Sequence, residues 1–180
     1  MSLNKLPRRA LLIALLCTFP IVAAVAKNLQ EQLAADADLM IFSSALEKSG
    51  LAPTIREKGP FTLFVPSDGG MRNEGSAFLL EKVLLTKSNK NLLSHIISYH
   101  VVQGTPLIPE MLDGSVDLDT LSGERLSVTR FRSSLAVGPV SVVTRKIEAE
   151  NGVIYVLDRL LWPDYRPDTE VVANVGEPSR

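Results

Sequence analysis

The stretch that most constrains this chain runs from Asn89 to Gly104, NKNLLSHIISYHVVQG, where a helical apolar stripe passes without a loop into a short extended run. At about 100° per residue, Leu92, Leu93, Ile96 and Ile97 share one side of a helix, and His100 projects into the middle of that side. The ring of His100 is therefore expected in the core as a neutral imidazole, hydrogen-bonded to a main-chain group or to Asp68 and tying this helix to a central strand. Tyr99 lies at the edge of the stripe, where its ring can pack while its hydroxyl reaches water. Ser88 or Asn89 suits the cap of the first turn, and the β-branched pair Val101-Val102 followed by Gly104 predicts a strand and then a turn.

What surrounds that stretch must supply the core it packs against. Of the 180 residues, 46% are hydrophobic and 22% charged, which suits one globular domain rather than a disordered or fibrous chain. The first residues are read separately. Lys5, Arg8 and Arg9 precede an apolar run from Ala10 to Val25, and Ala24-Val25-Ala26 is a small-residue cleavage pattern ahead of Lys27. Residues 1–26 read as a secretory signal peptide, because the run is interrupted by Pro20 and is shorter than the roughly 20 residues a membrane span needs. Its removal takes Cys17 and three basic residues, leaving 16 Lys+Arg against 20 Asp+Glu and no cysteine. Such a domain has no disulfides and is held by core burial alone. Net acidity without a basic run argues against nucleic acid as a partner.

Between Asp36 and Gly50, Leu39, Phe42 and Leu46 recur at helical spacing, with Asp38 placed to cap the start, Gly50 to end the helix and Leu51 to fold back on its last turn. A short helical segment over Pro53–Lys58 follows. After the Gly59-Pro60 turn, Phe61–Val65 (FTLFV) is apolar on both faces apart from Thr62 and predicts a buried central strand ended by Pro66. Ser67 or Asp68 suits the cap of a helical turn, although Gly69 to Gly75 is glycine-rich enough to predict a mobile loop. Ser76–Leu85 restores a helical pattern. After Gly104, Pro106 and Pro109 bracket an irregular piece, and from Val116 short β runs follow: Val116–Leu121, Leu126–Val128, Leu135–Val137, Val140–Val142 and Ile147–Glu150. The last turns through Asn151-Gly152 into Val153–Leu157, a hairpin signal because both turn residues accept positive φ. Pro163 closes the domain, 27–163, and residues 164–180 read as a flexible tail. Helices in the first half and strands in the second predict an α+β fold.

Three segments, Gly59–Asp68 (GPFTLFVPSD), Tyr99–Gly104 (YHVVQG) and Asn151–Asp158 (NGVIYVLD), stand in the order and spacing of the fasciclin (FAS1) domain pattern, which the chain resembles from about Asn28 to Pro163. The resemblance implies a β wedge with helices packed around it. It also implies a secreted, periplasmic or surface-associated protein, of the single-domain kind found in bacteria, that serves adhesion or matrix interaction without being an enzyme. In some animal members the Tyr-His motif is assigned to receptor binding, so Tyr99 and His100 are the candidate interaction residues, while Asp68, His100, Asn151 and Gly152 form the structural motif. A few relatives carry apolar small molecules, which makes a lipid or pigment carrier the alternative. The chain departs from the pattern at Asp68-Gly69-Gly70-Met71, where the family has Ala-Phe opening a helix, and at Tyr155, where it often has histidine.

The residues themselves assemble no catalytic set. His95 and His100 are the two histidines, there is no Gly-x-Ser-x-Gly elbow, and Gly69-Gly70 lacks the further glycine and the lysine of a phosphate loop. No cofactor is therefore expected, and the expected partner is a cell-surface, matrix or envelope protein.

Overall fold

The computed structural model describes residues 27–57, 59–72, 90–104, 114–132, 134–139 and 141–163. The expected leader, the helix over Ser76–Leu85, the caps at Ser88 and Asn89, the piece around Pro106 and Pro109, and the tail lie outside the described residues. What is described is α+β, as the segregation of helical and alternating patterns predicts.

The sheet sets the frame. Strands β1 (Phe61–Pro66), β2 (Val101–Gln103), β3 (Ser115–Asp119), β4 (Arg125–Phe131), β5 (Ser134–Val137), β6 (Ser141–Ala149) and β7 (Gly152–Leu157) stand in the order β2-β1-β7-β6-β5-β4-β3. All neighbours are antiparallel except β1 and β7, which pair in parallel from Phe61↔Gly152 to Pro66↔Leu157. A bridge between Val102 and Thr120, with the Leu121 amide donating to the Val101 carbonyl at 2.8 Å, brings the far end of the sheet back to β2.

That curl explains why β1 is apolar on both faces. On one side Phe61, Leu63 and Val65, with Ile154 and Val156 of β7, pack against helices α1 (Leu29–Ala35), α2 (Met40–Ser49), α3 (Ala52–Glu57) and α5 (Lys90–Tyr99). On the other, Phe64, Val153, Tyr155 and Leu157 meet Leu126, Val128, Leu135 and Val137 from β4 and β5. The Phe64 and Tyr155 rings stack within this second cluster, their centroids 5.8 Å apart. Burying such side chains contributes roughly 1.5–3 kcal/mol each, so the two clusters supply the main cohesion of a chain without disulfides.

Several local expectations need correction. Helix α1 lies ahead of the first helix expected from periodicity; it is set by a reciprocal capping box in which the Glu31 amide donates to Asn28 Oδ1 and the Asn28 amide to Glu31 Oε2. Asp38 does not cap α2: Leu39 occupies the cap position and makes no side-chain bond there. Residues Asp68–Arg72 form a short helix, α4, rather than a loop. Its glycine at 70 is required by close approach, because a Cβ there would stand 2.6 Å from the Asp158 carbonyl oxygen. The separate runs expected around Val142 and Ile147 belong to one nine-residue strand, β6 (Ser141–Ala149), with Glu150 in the turn and Val140 outside the described residues. A bulge between Val143 and Arg145 falls in the polar run Thr144-Arg145-Lys146, which had hidden the continuity.

The Asn151-Gly152 hairpin joins β6 to β7 as expected, but for a different reason at Gly152. A Cβ on that residue would lie 2.1 Å from the Phe61 carbonyl oxygen, inside the β1–β7 pair. Gly152→Ala is expected to cost on the order of 3 kcal/mol or more. Urea unfolding checks this, and an unchanged midpoint would show that the strand pair tolerates the methyl group.

Candidate interaction site

The junction between α5 and β2 gathers the residues that sequence reasoning singled out. Leu93, Ile96 and Ile97 are buried and Leu92 half-buried, so the stripe faces the core as its spacing requires. The chain leaves the helix at His100, whose amide still donates to the Ile97 carbonyl at 3.1 Å, while its own carbonyl accepts from the Phe64 amide at 2.9 Å. One residue thus ends the helix and begins the pairing with β1.

The His100 side chain is fully buried, 0% exposed. Its Nδ1 lies 2.7 Å from the Ile96 carbonyl oxygen, and its Nε2 lies 3.2 Å from the Leu161 amide nitrogen. A backbone amide can only donate, so Nε2 is the acceptor and Nδ1 carries the hydrogen given to Ile96. Both ring nitrogens are satisfied by main chain, as expected, but the second tie runs to the segment after β7 and not to Asp68. Phe42 meets the ring edge-on at 5.5 Å. Burial pushes the imidazole pKa down to about 4, against a smaller opposing effect of the bond to Ile96. Protonation would also set an N–H against the Leu161 N–H.

Tyr99 is 9% exposed, packs in the cluster of Phe64 and Leu126, and donates its hydroxyl to the Arg125 carbonyl at 3.4 Å. In this conformation neither member of the Tyr-His pair offers more than a sliver of side-chain surface to a partner.

Asp68 and Asn151 act across the fold. Ser67 Oγ accepts from the Gly70 amide at 3.0 Å and caps α4, which frees Asp68 for another end: its Oδ1 accepts from the Ile41 amide at 2.9 Å in the first turn of α2. The Asp68 amide returns a bond to the Asp38 carbonyl at 2.7 Å. Asn151 is not among the positive-φ residues. Its value lies in the side chain, where Oδ1 accepts from the Leu29 amide at 2.9 Å and Nδ2 donates to the Ile55 carbonyl at 2.7 Å, while its own carbonyl accepts from Phe61 at 3.0 Å. A single asparagine therefore stitches α1, α3 and β1 to the hairpin.

Two features were not singled out from sequence. His95 Nε2 lies 2.6 Å from Glu124 Oε1, joining α5 to the turn after β3, and Phe131 with Arg132 forms an exposed tip between β4 and β5. His95 and Glu124 stand 29 residues apart in the chain, so no local pattern announces the pair. An open depression of about 290 Å³ is lined by Asn28, Gln30, Glu31, Ala34 and Arg56, a mostly polar set. Among the described residues no group of three or more His, Cys, Asp or Glu side chains is arranged to hold a metal ion, and no helix is long and apolar enough to cross a membrane.

This geometry coincides with a known domain. Residues 37–163 match the family model described as the Fasciclin domain. The chain belongs to the fasciclin domain family. It is 31% identical over 148 residues to human periostin, covering 82% of this chain and 17% of periostin. It is 32% identical over 124 residues to protein sll1483 of Synechocystis, covering 67% of this chain and 64% of that protein. Immunogenic protein MPB70 of Mycobacterium bovis is 31% identical over 105 residues, covering 58% of this chain and 51% of its own length. The chain thus spans less than two thirds of each of these relatives. Among solved structures, a FAS1 domain pair from the insect cell adhesion molecule Fasciclin I shares the fold, with a TM-score of 0.65 at 21% identity over 77% of this chain and 51% of that one.

Two outcomes are expected from the motif residues. Asp68→Ala removes the acceptor at the start of α2 and should cost about 1 kcal/mol, while Asp68→Asn retains most of the stability; thermal melts compare the two. For His100, the folded pKa of about 4 lies below the unfolded value of 6.5. Between those values the unfolded chain binds a proton that the folded chain does not. The stabilisation is therefore complete above pH 6.5 and is lost as pH falls toward 4, by about 3 kcal/mol in all. Urea midpoints across that window should fall more steeply for the wild type than for His100→Gln, which has no proton to gain; parallel curves would remove the imidazole as the cause.

Proposed function

We propose that this chain is an exported, non-enzymatic interaction module of the fasciclin family that engages a protein or polymer at the cell envelope or surface. The observation that carries the reading is the family match across residues 37–163. The likeness to the FAS1 pair of an insect cell adhesion molecule supports the fold on which such a role rests. The buried His100 and the half-buried Asp68 and Asn151 are engaged with main chain, which leaves recognition to the outer surface rather than to the motif residues themselves. The basic start and apolar run of residues 1–26 support export and removal of that segment. Loss of the stripe's packing would unfold the module before it changed a binding contact, so Tyr99 and His100 act on partners through the surface they hold in place.

The test is to recover the protein from its own cells by mild extraction, measure its intact mass, and compare surface adhesion and aggregation with and without the gene. A mass beginning at Lys27, recovery with the envelope and reduced adhesion in the deleted strain are expected. A full-length mass in the cytosolic fraction with unchanged adhesion would remove the proposal.

A further inference from the structure

The hairpin that joins β6 to β7 is built on a chemically fragile dipeptide. Of the seven asparagines in the chain, Asn151 alone precedes a glycine. In water such a pair is short-lived, because glycine puts no side chain beside its amide nitrogen to hinder attack on the asparagine and leaves the backbone free to reach the angle required. The Gly152 nitrogen must swing onto Asn151 Cγ, so the asparagine side chain and the peptide after it have to turn together. In the folded domain both are held. Oδ1 accepts from the Leu29 amide at 2.9 Å, and Nδ2 donates to the Ile55 carbonyl at 2.7 Å. The Asn151 carbonyl accepts from the Phe61 amide at 3.0 Å, and the Glu150 amide donates to the Lys27 carbonyl at 3.1 Å, so the turn is tied on both sides of the reactive bond. Gly152 is paired with Ala149 on one strand and Phe61 on the other. The packing leaves no slack: a Cβ on Gly59 would lie 2.9 Å from the Asn151 carbonyl oxygen.

We propose that Asn151 is a deamidation site gated by the fold, closed in the folded domain, open in the unfolded chain and disabling once it has reacted. When the hairpin is open, hydroxide takes the proton of the Gly152 amide and the nitrogen attacks Asn151 Cγ. The new N–Cγ bond closes a five-membered succinimide, and the Cγ–Nδ2 bond breaks to release ammonia, whose third proton comes from water and regenerates hydroxide. Water then opens the ring at either carbonyl, leaving aspartate, or isoaspartate with one more carbon in the main chain. In the first product a carboxylate oxygen replaces the Nδ2 donor and faces the Ile55 carbonyl, two acceptors with no hydrogen between them. In the second, the main chain lengthens at the residue before the β1–β7 pair begins, and the register set at Phe61↔Gly152 no longer fits the hairpin. Either product undoes ties that hold α1 and α3, so a chain left unfolded loses its ability to refold. This inference does not depend on the interaction role proposed above.

The test keeps the protein, in its native processed form, either folded in buffer or unfolded in guanidinium chloride at the same mildly alkaline pH and temperature. Peptide mass spectrometry follows aspartate and isoaspartate at residue 151. Conversion is expected to be on the order of thirtyfold slower in the folded protein, because it proceeds only through the fraction that has opened. After dilution from denaturant, chains that regain the folded elution volume should be depleted in converted residue 151 relative to those that do not. Asn151→Asp isolates the consequence: its melting temperature should fall by about 10 °C at neutral pH. That deficit against the wild type at the same pH should narrow as pH drops into the carboxyl range, where a protonated carboxyl again offers Ile55 a donor. Equal conversion in folded and unfolded protein, or none in the unfolded chain, would overturn the proposal. So would equal refolding of converted and unconverted chains, or an Asn151→Asp variant that melts with the wild type at neutral pH.

Discussion

The structure depends on keeping one imidazole neutral and dry. His100 occupies the point where a helix becomes a strand, and a hydrophobic side chain there would leave the Leu161 amide without its acceptor. A charged ring would oppose that amide and lose solvation it could not replace. With the proton on Nδ1, the same ring binds the helix behind it and the chain segment after β7 in front of it, while the His100 carbonyl engages β1. Three parts of the fold that are remote in sequence meet at one side chain. A polar group so placed specifies geometry as much as it adds stability, because an alternative packing has to find partners for both nitrogens.

Asp68 and Asn151 repeat the principle at other positions. Each is a short polar side chain whose acceptor or donor reaches an orphan main-chain group on a distant element, at the start of α2 in one case and at α1 and α3 in the other. Helix ends inside a small domain need such partners because water is excluded from them. The close approaches at Gly70 and Gly152 serve the same economy: backbone meets backbone without a side chain between. The motif segments are therefore the joints of the frame.

Much of this was legible in the chain itself, and the limits have physical causes. The stripe Leu92 to Ile97, the apolar run of β1 and the Asn-Gly turn carry local periodicities, and His100 could be placed inside from spacing alone. Its partner Leu161 could not, because a donating backbone amide has no side-chain signature. Asp68 was read as a cap for the helix it begins, since the α2 amide it serves lies 27 residues earlier. The glycines of α4 lower helix propensity, and tertiary packing on Asp158 outweighs that preference. The box at Asn28 and Glu31 carries the local spacing of a helix start. At the tip of β4–β5 the exposure of Phe131 became apparent only when the register of the hairpin turned it outward.

The parallel pairing of β1 with β7 has a further consequence for how the chain comes into being. Phe61 and Gly152 are partners although roughly ninety residues separate them, and β7 contributes to both apolar clusters. Local helices can form early, but loop closure over that distance is the slow and entropically costly step. During synthesis the first helices and β1 can gather early, but one edge of β1 lacks its partner until β7 emerges. A chain cut short before β7 leaves β1 without its parallel partner and presents an unsealed core rather than a smaller domain.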